Sequence, residues 1–192
     1  MRQQPLILAS ASPRRRELLA LLDLEFEVRP SRIDESPKPG ESPAGQVQRL
    51  AEAKARQTAK DRPGCWILAA DTIVVHRGLV MGKPQDQAEA ARMLSLLSSQ
   101  THEVLTGYCL LNQELGQNIV ESCRTEVEFR TLSRQDIETY LDSGEPLGKA
   151  GAYAIQGRGA SMVKRVAGSY TNVVGLPLAE VVELLRRYGL AD

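Results

Sequence analysis

The run Leu6-Ile7-Leu8-Ala9-Ser10-Ala11-Ser12-Pro13-Arg14-Arg15-Arg16-Glu17 constrains this chain most. Leu6 to Ala9 is a short apolar stretch of the kind that makes a buried strand. Ser12 then offers an N-cap hydroxyl, and Pro13 supplies a pre-set φ for a first helical turn, so a strand feeds almost directly into a helix expected over Arg14–Leu22. A helix start favours an anion through its free N–H groups and dipole, yet arginines fill this first turn, where the dipole alone prefers acids. Two readings follow. In one, the Ser10 and Ser12 hydroxyls and the forked guanidiniums of Arg14 and Arg15 converge on a polyphosphate. In the other, the helix simply carries a basic, solvated face.

Charge and cysteine content narrow the partners. Lys plus Arg equals Asp plus Glu at 24 each, so no overall field draws the protein to duplex nucleic acid or an anionic membrane, and phosphate-binding charge must be local. No apolar run approaches the roughly 18 residues of a membrane span, and Met1-Arg2-Gln3-Gln4-Pro5 lacks the apolar core of a signal peptide, so a cytoplasmic location is expected. Cys65, Cys109 and Cys123 form no CxxC pair, which leaves reduced thiols as the expectation. Only His76 and His102 are present, so any metal must be held by carboxylates. A length of 192 residues and 42% hydrophobic content suit one well-cored domain, taken here as residues 1–192, or two joined lobes.

Along the chain, Glu25–Val28 alternates as a strand and Ser31–Pro43, with Asp34 and Glu35, reads as an exposed loop. Ser42-Pro43 repeats the cap-plus-proline start of a helix that ends near Pro63-Gly64, and Lys54 lies one turn after Leu50, beside its apolar stripe. Trp66–Ala70 is a second buried run, read as ending at Asp71-Thr72, a place where open α/β sheets put their chemistry. A hairpin is expected over Ile73–Val75 and Leu79–Met81 around Arg77-Gly78, closed by Gly82-Lys83-Pro84. This Gly-Lys lacks the surroundings of a P-loop.

A helix over Ala88–Leu97, strands over Val104–Leu111 and Ile119–Phe129, and a Ser133-capped helix to about Tyr140 follow, the last stopped by Ser143-Gly144-Glu145-Pro146. The stretch Leu147–Gly159 is rich in glycine and alanine, which let backbone approach a ligand; Lys149 suits a phosphate and Gln156 a base edge, although such a segment also reads as a flexible loop. A strand over Ser161–Val166, a polar loop over Gly168–Asn172 and a helix opened by Gly175-Leu176-Pro177 complete the chain.

Taken together, Ser10–Arg15, Ala69–Val74, Gly82–Pro84, Lys149–Gly157 and Gly168 to Pro177 resemble the Maf family of nucleoside triphosphate pyrophosphatases over nearly the whole chain. The resemblance implies an α/β fold like that of inosine triphosphate pyrophosphatase: a mixed twisted sheet with helices, and two lobes about a central cleft. It also implies a divalent cation (Mg2+, Mn2+ or Co2+), a homodimer, and release of pyrophosphate from a nucleoside triphosphate. The KAGAYxIQG form resembles the branch acting on dTTP and UTP; a 7-methyl-GTP pyrophosphatase, or a nucleotide-binding regulator of septum formation, is the alternative. Many relatives carry Asp where this chain has Gly148. On this reading Asp71 is the catalytic base, Glu35 and Asp71 hold the metal, and Ser10, Ser12, Arg14, Arg15, Lys54, Lys83 and Lys149 bind phosphate. Base choice falls to Gln156, with Thr72 and Arg14. A carboxamide presents a donor beside an acceptor, complementary to O4 and N3–H of uracil or thymine.

Overall fold

The structure is a computed structural model that describes residues 5–192; the start of the segment read as lacking a signal peptide, residues 1–4, lies outside them. Strands β1 (Leu6–Leu8), β2 (Phe26–Val28), β3 (Trp66–His76), β4 (Leu79–Met81), β5 (Thr101–Asn112), β6 (Gln117–Phe129) and β7 (Val163–Ala167) form one mixed sheet. Its order is β2-β1-β3-β5-β6-β7, with β4 paired to β3. Strand β1 runs parallel to both β2 and β3, whereas β3–β4 and β6–β7 are antiparallel. Helices α1 (Pro13–Ala20), α2 (Pro43–Ala59), α3 (Gln87–Leu97), α4 (Arg134–Asp142), α5 (Tyr170–Val174) and α6 (Leu178–Arg187) complete the α/β fold.

The chain divides into two compact units. One comprises the chain up to Asp71 with Thr106–Cys123 and Gly175–Asp192; the other comprises Thr72–Leu105 and Arg124–Val174. The first unit has a core of small and β-branched residues: Ala51, Ala55 and Ala59 of α2 pack on Ile7, Ala9, Ile67 and Ala69. Small side chains bring α2 close to the strands. At Gly107 the approach is closest, because a Cβ there would lie 2.3 Å from the Val47 carbonyl. The core of the second unit is larger-grained, built from Met93, Leu94, Leu97, Phe129, Tyr140, Tyr153 and Met162.

Local signals account for most element starts. The Ser12 hydroxyl accepts the Arg15 N–H, Ser42 accepts the Gly45 N–H, and Ser133 forms a capping box with Asp136, each satisfying an otherwise orphaned donor. The expected hairpin is present, with Val74 opposite Met81 and His76 opposite Leu79.

Three expectations are corrected. Asp71 does not end a strand: β3 continues for eleven residues, and Asp71 lies at its middle. An aspartate is poorly suited to a strand interior, so Asp71-Thr72 reads as a break; the β-branched run Thr72–Val75 nevertheless keeps the backbone extended. The polar Gly168–Asn172 loop instead leads into helix α5, where the Ser169 hydroxyl accepts the Asn172 N–H and the buried Asn172 amide donates to Val104 O and Thr125 Oγ1. The glycine-rich stretch is no flexible loop: it makes 3-10 turns over Ala150–Ala152 and Gly157–Met162, and Gly151 to Ile155 are buried.

Candidate active site

Seven of the candidate residues belong to the first unit: Ser10, Ser12, Arg14, Arg15, Glu35, Lys54 and Asp71. Their centre is Lys54. Val47, Leu50, Ala51, Lys54, Ala55 and Thr58 share the buried face of α2, so the contact at Gly107 that seats Val47 also carries Lys54 inward, seven residues further along the same stripe. The side chain is 10% exposed, and its ammonium donates to Asp71 Oδ1 at 2.7 Å and pairs with Glu35 Oε1 at 2.6 Å. Asp71 is as enclosed as Lys54, whereas Glu35 reaches solvent. Two carboxylates therefore meet on one buried cation, which neutralises charge that would be costly there alone.

Arg15 is anchored. Its Nε donates to Gly175 O at 2.7 Å and its Nη1 to Ala70 O at 2.8 Å, with Ser10 Oγ at 3.5 Å. Enclosure by the protein lowers the guanidinium's pKa from its ordinary value, and the facing Asp71 opposes that shift. The guanidinium remains charged at neutral pH. Two donors of its fork are thus spent on carbonyls, one next to Asp71 in the chain, so Arg15 fixes local backbone geometry while delivering positive charge. Ser10 is buried and its hydroxyl accepts the Ser12 N–H, just as Ser12 accepts from Arg15. With Pro13 lacking a donor, much of the helix start is satisfied by its own hydroxyls. Neither carbonyl partner of Arg15 carried a sequence signal, because a backbone acceptor has no residue-type signature.

The other candidates, Thr72, Lys83, Lys149 and Gln156, belong to the second unit. Thr72 directly follows Asp71 in β3, so it points to the opposite face of the pleat, the face that carries Val74. Val74 packs on the glycine-rich stretch, and a Cβ on Gly151 would lie 2.8 Å from its methyl group. Gly151 N–H donates to Gly82 O, which ties the turn bearing exposed Lys83 to the turn bearing Lys149. Gln156 is half-buried and its side chain caps nothing. Ala152 and Ala154 are buried, Ala152 within the core of this unit. Tyr140 and Glu145 hold the backbone on either side of Gln156, although by sequence they read only as a helix end and a turn residue.

The metal expectation meets a mixed donor set. Among the described residues no group of three or more His, Cys, Asp or Glu converges. Glu35 and Asp71 do converge on a single cationic centre, the Lys54 ammonium. Two carboxylates leave the remaining positions of an octahedral oxygen set to water, as Mg2+ prefers, so the chemistry of this pair fits a divalent cation.

The chain is similar to known proteins over nearly its whole length. The family profile described as Maf-like protein matches residues 5–188. A dTTP/UTP pyrophosphatase of Citrifermentans bemidjiense is 52% identical over 189 residues, 98% of either chain. One of Moorella thermoacetica is 54% identical over 96% of this chain and 95% of its own, and one of Myxococcus xanthus 53% identical over 98% and 94%. Among solved structures, a nucleoside-triphosphatase / dITP/XTP pyrophosphatase from Mycobacterium abscessus matches at a TM-score of 0.47 and 18% identity, covering 96% of each chain.

Proposed function

This chain belongs to the Maf family, and on that premise we propose that it hydrolyses dTTP and UTP to the monophosphate and pyrophosphate. The observation that carries the reading is the Glu35–Lys54–Asp71 cluster, in a chain that is half identical, end to end, to proteins named dTTP/UTP pyrophosphatase.

In this reaction water attacks the α-phosphorus, its proton passes to Asp71, and pyrophosphate leaves. Asp71 is fit for that task because it is enclosed, mid-strand, and oriented by Lys54. Lys54 then serves two ends: it holds the base in place and presents charge toward the triphosphate. Arg14 and Arg15 add positive charge at the start of α1, and Lys83 and Lys149 are read as further phosphate-binding cations. Glu35 and Asp71 would hold the divalent cation, which when bound neutralises developing charge on the leaving pyrophosphate. Gln156, with Thr72 on the face turned toward the glycine-rich stretch, reads the base. The enzyme is taken to be a cytoplasmic homodimer; among the described residues no helix is long and apolar enough to cross a membrane.

A nucleotide panel with Mg2+, Mn2+ or Co2+, reporting pyrophosphate and monophosphate separately, tests the reading. dTTP and UTP should lead, with equal amounts of the two products. Release of orthophosphate, a lead for 7-methyl-GTP, or binding without turnover would overturn it.

A further inference from the structure

The segment bearing Gln156 is held from both sides. Before it, Ala154 N–H donates to the Tyr140 hydroxyl at 3.1 Å, and that hydroxyl donates to Glu145 Oε1 at 2.8 Å. After it, the same carboxylate accepts the Gly159 N–H on Oε1 and the Arg158 N–H on Oε2, both at 3.0 Å. A single tyrosine–carboxylate pair therefore closes a loop of backbone from Ala154 to Gly159 with Gln156 inside it. The loop is tight. A Cβ on Gly159 would lie 2.2 Å from Ala154 O, and Gly157, at φ +81°, would place one 2.6 Å from Glu145 Oε2. One residue earlier, buried His102 Nε2 meets the Tyr153 hydroxyl at 2.8 Å, with the Phe129 ring edge-on to both. Burial opposes ionisation of Glu145, but the Gly159 and Arg158 N–H groups, the Tyr140 hydroxyl and Lys149 outweigh it and hold its carboxyl below the usual range.

A carboxamide distinguishes uracil from cytosine only if its orientation is fixed, because a flipped amide matches cytosine as well. Backbone immobility limits the rotamers from which such a flip can occur. We propose that Tyr140 and Glu145 are positioning residues that fix Gln156 and thereby set the preference for UTP over CTP. This inference rests on base recognition by Gln156.

Tyr140→Phe removes one hydroxyl at nearly constant volume and leaves the Ala154 N–H unpaired. Glu145→Gln loosens the loop from its other end, since the Arg158 and Gly159 N–H groups use both carboxylate oxygens and a carboxamide keeps only one acceptor atom, and it serves should the first variant fold poorly. For each, kcat and KM are measured with UTP and CTP, alone and combined with Gln156→Ala, and amide hydrogen exchange is followed over residues 154–159. The expected result is about a tenfold fall in the UTP:CTP ratio of kcat/KM, carried by KM for UTP, with faster exchange at Ala154, Arg158 and Gly159, and no further fall on the Gln156→Ala background. An unchanged ratio, or an equal fall on that background, overturns the positioning role. If Gln156→Ala itself leaves the ratio intact, base recognition by Gln156 fails and the proposal with it. Should the parent hydrolyse neither nucleotide, the enzymatic reading fails, and the ratios are taken instead from dissociation constants of nonhydrolysable UTP and CTP analogues with the same criteria.

Discussion

Asp71 shows how one side chain combines a structural cost with a chemical use. Its carboxylate is enclosed in the middle of a strand, where the Lys54 ammonium at 2.7 Å, with the Arg15 guanidinium facing it, makes its charge tolerable. Asp71→Asn keeps the shape and a hydrogen-bond acceptor for Lys54 but removes the proton acceptor. Turnover of dTTP should fall at least about a hundredfold while the melting temperature changes little; retention of parental kcat would refute the assignment. Lys54→Met is expected to behave differently, because it leaves two carboxylates facing each other without their cation. The loss should be about 3 kcal/mol by denaturant titration, the lower end for a buried pair since Glu35 reaches solvent. A variant as stable as the parent would mean that the pair is not formed in solution. Arg14→Ala should raise KM for the nucleotide, each lost charge-assisted contact costing about 1.5–3 kcal/mol, and an unchanged kcat/KM would restore the reading of a merely solvated basic turn.

Helix α2 is the element on which the first unit depends. Its alanines let it lie close to the strands, and Gly107 admits its backbone at Val47. Gly107→Ala would force the helix outward at one end of the stripe that carries Lys54 at the other. A destabilisation of about 1–3 kcal/mol is expected, together with a loss of activity beyond what stability explains, read as kcat at a temperature where the variant is fully folded. Equal activity in that folded variant would show that Lys54 is placed independently of the contact. The starts of α1, α2 and α4 were legible from the Ser12-Pro13 and Ser42-Pro43 pairs and from the Ser133 cap because capping is a local interaction within a few residues. Helix α5 was not, since it is secured by Asn172 donating to Val104 and Thr125, far away in the chain.

For the molecule as a whole, acid stability should be governed in part by His102. It is buried against Phe129 and the Tyr153 hydroxyl, and burial, with a smaller contribution from His76, pushes its pKa down to about 3. The unfolded chain takes up this proton near pH 6.5 and the folded chain only near 3, so folding stability falls as pH drops through that window, by up to about 1.4 kcal/mol per pH unit. Denaturant titrations at pH 7, 5 and 4 should show the slope, and His102→Gln should flatten it; parallel curves for the two proteins would contradict this origin. The balance of 24 basic against 24 acidic residues, the resemblance carried by ordered motifs, the α/β succession and most helix starts were determined by the sequence alone, because each rests on composition or on neighbours a few residues apart. Gln156 was legible as a residue type, but the means of holding it was not. Only the tertiary structure decided that Asp71 lies mid-strand under Lys54, that Arg15 spends its fork on Gly175 and Ala70, and that Tyr140 and Glu145 brace the glycine-rich stretch. All three depend on packing between distant segments, and the last two also on backbone carbonyls and N–H groups, which every residue carries and which the sequence therefore cannot distinguish.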